Sequence, residues 1–578
     1  MYLLDVFLTE IRYNNHSWNH KETTDRKKFD CRCRQTSGDH QHEPARGAAV
    51  GNTEWGLKTC KTFKGENIMS KVVITGQDLT VDQIVDVCRN HAEVVLSEES
   101  TKAVLASRKV VDDLVSEKAV VYGITTGFGK FSDVVISTDE CKKLQKNLII
   151  THAVGAGDPF TEDIARGIML LRINNLSKGF SGIRLETLQT MIDMLNKGVT
   201  PFIPEKGSLG ASGDLAPLSH MVLVMIGLGK AYYKGELMDG GEAMKKAGIA
   251  PIELSAKEGL ALNNGTQAMT SAGSLALYDA MKLLKVADIA DSLCFEAQNG
   301  VMDALEDRCH AVRPHHGQRV TAKNLRRLLE GSKNTTRQGE IRVQDAYSLR
   351  CSPQIHGASK DAINYVKEHV DIEINSVTDN PIIFQEDRAG ISGGNFHGQP
   401  MALPFDFLKI AQAELANVSE RRIERLVNPA YSGLPAFLTN HGGVCSGFMI
   451  VQYSAAALVS ENKVLAHPAS VDSIPSSAGQ EDHVSMGTIA ARQAGEIGRN
   501  VRRVLAMELM VACQGIDLRG NRGLGKGTQA AYDLVRKCVP TLDEDRPLYE
   551  DINYCEKIIE NGELIAAVEK AIGGELEL

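Results

Sequence analysis

Three long segments in the second half of the chain repeat apolar residues every three or four positions, and this period restricts the fold more than any other feature. They read LPFDFLKIAQAELANVSERRIERLV, SGFMIVQYSAAALVSENKVLA and GTIAARQAGEIGRNVRRVLAMELMVACQGIDL. Such a period predicts amphipathic helices that pack against one another. Strand-like runs are few and short, for example at 119–122 and 381–384. We therefore predict a mainly α protein whose core is a bundle of long helices.

The chain changes character near Met69. Residues 1–68 are polar and lack a sustained period, whereas MSKVVITGQDLTVDQIVDVCRN reads as a short strand, a turn and a helix that begins after Thr80. We expect 1–68 to be a disordered extension or to precede the true translation start. We divide the remainder into a smaller N-terminal portion of α/β-like character over 69–275, and the long-helix bundle with the C-terminal helices over 276–578.

Composition excludes several classes of function. The formal net charge is -9, which argues against a nucleic-acid-binding protein because such proteins present a basic face. No apolar run approaches the roughly 20 residues that span a bilayer. The 12 cysteines are scattered, and the opening residues carry acids instead of the apolar core of a signal peptide. These features predict a cytoplasmic protein with reduced thiols.

The spacings typical of metal and nucleotide sites are missing from the sequence. Cys31 and Cys33, followed by His40 and His42, lack the paired geometry of structural zinc sites, so we expect a solvated tail and no metal site. The stretch GNRGLGKG begins like a phosphate-binding loop, but Gly527 stands where Ser or Thr must contact magnesium. We therefore expect no nucleotide cofactor.

Small residues cluster in KGSLGASGDLAPLSH, just ahead of a predicted helix. Asp214 is a suitable N-cap for that helix, and Pro217 falls in its first turn. The Ala211-Ser212-Gly213 triplet could bind an anion at the helix N-terminus, or it could be a capping loop. A third interpretation is autocatalytic cyclisation, because the unhindered amide nitrogen of Gly213 can approach the carbonyl carbon of Ala211 in a tight bend. Ring closure and dehydration of Ser212 would give an imidazolone with an electrophilic methylene.

Several longer motifs occur in a fixed order with this stretch. They include YGITTGFGKF, LIITHAVGAG, KEGLALNNGTQ, VQDAYSLRCSPQIHGA, SGGNFHGQP and IPSSAGQEDHVSM. Together with GSLGASGDLAPLSH they resemble the aromatic amino acid ammonia-lyases and aminomutases, which form 4-methylidene-imidazole-5-one (MIO) from such a triplet. The resemblance covers nearly everything from Met69 onward. It implies an MIO group made from Ala211, Ser212 and Gly213 in the N-terminal portion, and no pyridoxal phosphate.

The resemblance also implies which residues act with the MIO group. Tyr122 and Tyr347 match the family's two catalytic tyrosines; we favour Tyr122 as the base that removes the β-proton, although their roles could be exchanged. Arg350 offers a forked pair of donors for the substrate carboxylate. Whether the methylene takes the substrate nitrogen or attacks the aromatic ring stays open. The remaining matches, which bind the substrate or surround the MIO group, are Asn264, Gln344 and Phe396.

Two further matches concern the substrate side chain. His152 matches a pocket histidine, and Glu481 matches an acid that suits an imidazole. A carboxylate can accept a hydrogen bond from an imidazole N–H, whereas a phenylalanine ring would leave a buried Glu unpaired at considerable cost. We therefore expect L-histidine as the substrate, giving trans-urocanate and ammonia as the first step of histidine degradation.

In this family each active site takes residues from several chains of a homotetramer. Helices that are apolar on more than one face agree with an oligomer. We expect neither a nucleic acid nor a membrane as a partner. Two alternatives remain: a tyrosine or phenylalanine ammonia-lyase or aminomutase on the same scaffold, and a non-catalytic helical assembly protein.

Overall fold

The computed structural model of the protein describes residues 71–578, apart from the side chains of residues 138 and 139. The predicted tail over 1–68 lies outside the described residues. So do the two cysteines and two histidines considered above for zinc, and so does Met69.

Helices dominate the described part of the chain, which confirms the predicted mainly α fold. The α-helices within residues 71–578 are α1 (Val81–Arg89), α2 (Glu98–Ser116), α3 (Thr138–His152), α4 (Glu162–Ser177), α5 (Leu185–Lys197), α6 (Leu215–Met225), α7 (Gly240–Lys246), α8 (Glu258–Asn263), α9 (Gln267–Ala297), α10 (Asp307–Ala311), α11 (His316–Leu328), α12 (Tyr347–Arg350), α13 (Ser352–Glu373), α14 (Gln399–Val427), α15 (Pro429–Ser432), α16 (Met449–Leu465), α17 (Gly487–Arg519), α18 (Lys526–Arg536), α19 (Tyr549–Glu560) and α20 (Glu563–Ile572).

The strands are short, and most of them precede α9. Within residues 71–578 they are β1 (Lys71–Ile74), β2 (Glu93–Leu96), β3 (Ala156–Pro159), β4 (Val199–Pro201), β5 (Pro204–Lys206), β6 (Lys230–Tyr233), β7 (Glu236–Asp239), β8 (Ile382–Phe384) and β9 (Ala389–Ile391). β1 pairs with β2 in parallel. The antiparallel pairs are β3 with β5, β4 with β6, β6 with β7, and β8 with β9. None of these small sheets is large enough to form the core of the protein.

The core is built from α9, α14 and α17, with α13 packed against α9 and α14. α9 has 31 residues, α14 has 29 and α17 has 33. Because α17 contacts several helices at once, its buried apolar residues are not confined to one stripe: the consecutive residues Val504, Leu505 and Ala506 point to different sides of the helix and are all fully buried. Within residues 71–578, no helix has both the length and the apolar character needed to cross a membrane.

Helix α9 belongs to both of the portions that we predicted. Residues 71–578 belong to one compact unit, and the predicted division between 275 and 276 falls inside α9. α9 packs on α4 in the N-terminal portion and on α14 and α17 in the bundle. The division therefore stays a prediction about how the chain is organised.

Thr80 begins α1 as predicted. Its hydroxyl accepts a hydrogen bond from the Gln83 N–H at 3.2 Å, and the Gln83 side chain accepts one from the Thr80 N–H at 2.9 Å. This reciprocal pair is a capping box, which satisfies two backbone donors at the start of the helix.

Candidate active site

The Ala211-Ser212-Gly213 triplet lies in a tight loop between β5 and α6. Gly210 and Gly213 have φ angles of +72° and +74°, in the left-handed region that favours glycine. Ala211 is buried and Ser212 is half-buried. The backbone therefore bends sharply on both sides of Ser212.

Gly213 is packed directly against Gly265. The two residues form an isolated bridge, and the Asp214 N–H donates to the Gly265 carbonyl oxygen at 2.7 Å. A Cβ atom at position 213 would lie 2.2 Å from that same oxygen, far closer than van der Waals contact allows. Position 213 thus requires glycine for two reasons, its φ angle and the lack of space.

Asp214 stands at the N-cap position of α6, but its carboxylate does not cap the helix. The side chain is fully buried and accepts hydrogen bonds from the Ser208 hydroxyl and the Met269 N–H, both at 2.8 Å, and from the Thr488 hydroxyl. Burial raises the pKa of Asp214 although these donors oppose the shift. The predicted capping contact is therefore wrong, because Asp214 instead ties the triplet loop to α9 and α17.

Asn264 contacts the triplet through its side-chain amide. Its Nδ2 donates to the Ser212 carbonyl oxygen at 3.0 Å, and its own carbonyl oxygen accepts from Arg172 at 2.8 Å. The Asn264 Oδ1 atom is buried and has no hydrogen-bond partner among residues 71–578. A buried polar atom without a partner is costly, so this oxygen is available to a group that the chain itself does not supply.

A buried ion cluster supports the Asn264 segment from behind. The Lys257 ammonium is 2.7 Å from Asp379, and the Arg172 guanidinium is 3.9 Å from the same carboxylate. Arg172 also donates to the Gln267 side chain at 3.0 Å. Burial lowers the pKa of Lys257, and the charge of Asp379 opposes that shift. Since these charges are fully buried and paired, they hold the Asn264 backbone in one place.

Glu481 brings a carboxylate to the triplet from a loop more than 250 positions away. The Ser212 hydroxyl donates to its Oε1 at 3.0 Å, and the Ser476 hydroxyl donates to its Oε2 at 2.9 Å. Each carboxylate oxygen therefore has one donor. This contact places the Glu481 carboxylate beside the Ser212 side chain, which would become the electrophilic methylene after cyclisation.

His152, at the end of α3, lies within the electrostatic range of the same carboxylate. Burial lowers the pKa of His152, and a backbone hydrogen bond together with the charge of Glu481 partly opposes that shift. The ring is half-buried. The environment therefore favours a neutral imidazole near Glu481.

Tyr122 lies in the loop between α2 and α3 and is half-buried. Its hydroxyl oxygen accepts a hydrogen bond from the Gly129 N–H at 3.3 Å. The turn Gly129–Phe131 packs against the turn Ser477–Gly479, which directly precedes Gln480 and Glu481. Tyr122 is therefore connected to the Glu481 loop through one turn of backbone.

Phe396 is half-buried in the loop before α14. The residues that follow it contact the segment after Glu481: the His397 ring stacks on His483 with centroids 5.8 Å apart, and a Cβ at Gly398 would lie 2.8 Å from the Ser485 hydroxyl. The loop that carries Phe396 thus borders the Glu481 segment.

Comparison with known proteins places this geometry in a family. The family described as aromatic amino acid lyase matches residues 79–537. The histidine ammonia-lyase of Alkaliphilus oremlandii (strain OhILAs) is 67% identical over 504 residues, which are 87% of this chain and 99% of that protein. The crystal structure of histidine ammonia-lyase from Trypanosoma cruzi superposes with a TM-score of 0.81 at 43% identity, covering 87% of this chain and 95% of that one. Tyrosine aminomutase from Streptomyces globisporus has a TM-score of 0.85 at 38% identity, covering 88% of this chain and 100% of that one.

The chain belongs to the aromatic amino acid lyases. This confirms the family predicted from the motifs. The family match extends over most of the described residues, from just before α1 to the end of α18.

Three predicted site residues of this lyase, Gln344, Tyr347 and Arg350, are not bonded to the triplet in the described part of the chain. Gln344 and Tyr347 are exposed, Tyr347 to 69%. The Arg350 guanidinium lies 4.8 Å from the centre of the Tyr347 ring, and its Nε donates to the Asp345 carbonyl at 3.1 Å. Within residues 71–578, no hydrogen bond or ion pair joins these three side chains to the triplet. Their roles stay predictions.

Sequence reasoning missed three contacts of the lyase's triplet region. Gly265 was visible as a glycine inside NNGTQ, and such a glycine can signal a close backbone approach. Ser476 is one of two adjacent serines, and nothing in the sequence distinguishes it from Ser477. Thr488 is 274 positions from Asp214, so no local pattern could have connected them.

Proposed function

We propose that this lyase is a histidine ammonia-lyase, which eliminates ammonia from L-histidine to give trans-urocanate and so begins histidine degradation. The observation that carries this proposal is the Glu481 carboxylate at the triplet, with Oε1 3.0 Å from the Ser212 hydroxyl. The histidine ammonia-lyases that match along 98–99% of their length support it. As a carbon–nitrogen lyase, the enzyme needs an electrophile, a base and a pocket that recognises an imidazole.

We infer that the electrophile is an MIO group formed from Ala211, Ser212 and Gly213. The residues present fit it: Gly213 has a φ of +74° and no room for a Cβ atom, and Asn264 donates to the Ser212 carbonyl oxygen, which the ring retains. Cyclisation joins the Gly213 nitrogen to the Ala211 carbonyl carbon, and two waters leave, one with the Ala211 oxygen and one with the Ser212 hydroxyl. When formed, the group supplies an electrophilic methylene for elimination of the amine.

The proton on the substrate β-carbon needs a base, and we assign this role to Tyr122. The Gly129 N–H donates to its hydroxyl oxygen at 3.3 Å and so fixes the position of that oxygen. The turn that donates to Tyr122 packs against the turn that precedes Glu481, which supports a role for Tyr122 beside the triplet. Tyr347 is the second candidate for this role.

Glu481 supports histidine as the substrate. Its carboxylate is half-buried, and the neutral form of His152 is favoured beside it. An imidazole N–H can donate to such a carboxylate, which strengthens binding through a charge-assisted hydrogen bond. A phenyl ring in the same place would desolvate the carboxylate without replacing the lost hydrogen bonds.

We further propose that the enzyme is a homotetramer with shared active sites. We predict that Arg350 binds the substrate carboxylate and that Tyr347 acts beside it, yet among the described residues neither side chain forms a hydrogen bond to the triplet of its own chain. One face of α14 is also exposed and apolar: Leu403, Phe407 and Ile410 are 41% to 49% exposed. Helical residues three and four positions apart share one face, and such a face is typical of a subunit interface. A second chain would bury this face and complete the carboxylate site.

A cytoplasmic location is part of the same proposal. The cysteines described between residues 71 and 578 are all free, and several of them are fully buried. Free thiols are usual where glutathione keeps proteins reduced.

A tyrosine or phenylalanine ammonia-lyase or aminomutase is the second candidate, because tyrosine aminomutase shares the fold at 38% identity. The test is to incubate the purified full chain with L-histidine, L-tyrosine and L-phenylalanine and to identify the products by chromatography. Urocanate from histidine alone is the expected result. A β-amino acid product, or faster turnover of tyrosine, would contradict the proposal.

The MIO inference has its own test. Intact-protein mass spectrometry should find the wild-type chain lighter by the mass of two waters than the mass calculated from its sequence. The variant Ser212→Ala cannot form the methylene, so it should lack both this deficit and the activity. A wild-type chain of full mass would show that the triplet is an ordinary loop.

A further inference from the structure

Ser476 and Glu481 face each other across a tight loop that borders the triplet. Their backbones pair in both directions: the Ser476 N–H donates to the Glu481 carbonyl at 2.8 Å, and the Glu481 N–H donates to the Ser476 carbonyl at 3.3 Å. The turn between them passes through positive φ angles at Ser477, Ala478 and Gly479. The main chain therefore holds the Ser476 hydroxyl opposite the Glu481 carboxylate.

The two oxygens of the Glu481 carboxylate have different partners. Oε2 accepts from the Ser476 hydroxyl at 2.9 Å, and Oε1 accepts from the Ser212 hydroxyl at 3.0 Å. No other side chain in the described part of the protein donates to this carboxylate. Dehydration of Ser212 removes the donor to Oε1 and leaves the donor to Oε2 in place. After cyclisation, Oε1 is the oxygen that can accept a new hydrogen bond.

A hydrogen bond to one oxygen also restricts the rotation of the carboxylate. The terminal torsion of a Glu side chain is broad and has no strong intrinsic preference. A hydroxyl held by paired backbone selects one orientation from this range, because hydrogen bonds to charged acceptors are strong. A receptor group that is already oriented loses less freedom when it binds a ligand.

We propose that Ser476 is a positioning residue for substrate recognition: its hydroxyl holds Oε2 of Glu481 so that Oε1, released by Ser212, is presented to the imidazole N–H of the substrate. This inference rests on the proposed function. Ser476 does not touch the reacting atoms. It acts through Glu481, and its contribution appears in the binding of the imidazole ring.

The experiment compares steady-state kinetics of the wild-type chain with three variants. Ser476→Ala removes the hydroxyl, Ser476→Thr keeps a hydroxyl on the same carbon, and Ser477→Ala removes the adjacent hydroxyl, which does not bond Glu481. Intact mass measured on each preparation verifies that the two-water deficit has formed, and a thermal melt verifies folding. KM and kcat for L-histidine are then determined separately.

We expect Ser476→Ala to raise KM for histidine about 10-fold with kcat within about twofold of wild type, because an oriented hydrogen bond made equally in the ground and transition states affects KM. Ser476→Thr should restore KM to within about twofold, and Ser477→Ala should leave it unchanged. A merely structural role would instead lower the melting temperature and the fraction of active enzyme, and would leave KM unaltered.

Three outcomes would overturn the inference: an unchanged KM in Ser476→Ala, a loss of kcat alone, or the same increase of KM in Ser477→Ala. These outcomes leave the proposed function intact, because the wild-type chain still converts histidine. A wild-type chain with the full cofactor that does not convert histidine would overturn both proposals.

Discussion

The substitution Gly213→Ala tests the reasoning about the triplet most directly. A non-glycine residue in the left-handed region costs about 1–2 kcal/mol, and the φ of Gly213 is +74°. The new Cβ would also lie 2.2 Å from the Gly265 oxygen. Gly265 cannot retreat easily, because a Cβ at its own position would already be 2.5 Å from the buried Arg172 guanidinium. Overpacking of this kind typically costs about 1–3 kcal/mol.

The free energy of unfolding should therefore fall by about 3 kcal/mol in Gly213→Ala. The loop can relieve the contact only by opening the bend, so the amide nitrogen at position 213 should no longer reach Ala211. We expect the two-water mass deficit and the activity to be lost together. The assays are chemical denaturation and intact-protein mass spectrometry on the same sample.

A matched control separates the two causes of the lost stability, the backbone strain at positive φ and the steric contact with Gly265. Gly198 follows α5 with a φ of +73°, and a Cβ atom added there would have no neighbouring atom within 4 Å, so Gly198→Ala carries the backbone strain without the contact. It should cost about 1 kcal/mol and keep the full mass deficit. If Gly213→Ala is no less stable than Gly198→Ala, or if it still shows the deficit, the steric reasoning is refuted.

Three further predictions address the pocket, the carboxylate site and the bundle. Glu481→Gln should lower kcat/KM for histidine about 100-fold, since the charge that strengthens the hydrogen bond is lost; kinetics check this, and a change below about threefold would contradict the pocket assignment. Arg350→Lys should raise KM for histidine about 10-fold, because Lys cannot form the forked pair of hydrogen bonds; an unchanged KM would remove Arg350 from the site. Burial raises the pKa of Asp291 from 3.8 to about 6. The folded state therefore binds the proton of the Asp291 carboxyl group more tightly than the unfolded state does. For this reason the free energy of unfolding decreases as pH rises from about 4 to about 6. Asp291→Asn should therefore be more stable than wild type above pH 6, on the order of 3 kcal/mol, and equal to it below pH 4; denaturation at several pH values checks this, and a pH-independent difference would show that the ionisation is not responsible.

The helical period predicted three of the long helices closely. The segments predicted at 403–427, 446–466 and 487–518 correspond to α14 at Gln399–Val427, α16 at Met449–Leu465 and α17 at Gly487–Arg519. Apolar residues recur every three or four positions where a helix buries them against its neighbours, so this period indicates where a helix lies. The bounds therefore agree to within a few residues.

The same reasoning does not identify α9, although it is the second longest helix within residues 71–578. Its buried face carries polar and charged residues, among them Ser274, Asp288 and Asp291. Asp288 is buried because it pairs with Lys360 and His356 of α13. Polar residues that are buried through long-range ion pairs interrupt the apolar period, so the period alone does not predict this helix.

The sequence by itself determined the family, the mainly helical fold and the triplet, because these depend on residue types and on the order of motifs along the chain. Only the tertiary structure decided what the triplet contacts. It turns Asp214 away from its helix toward Met269 and Thr488, packs Gly265 against Gly213, and brings Ser476 and Glu481 to Ser212. The partners within this set are as many as 274 positions apart. Contacts over such separations follow from how the whole bundle packs, and local preferences of the chain carry no information about them.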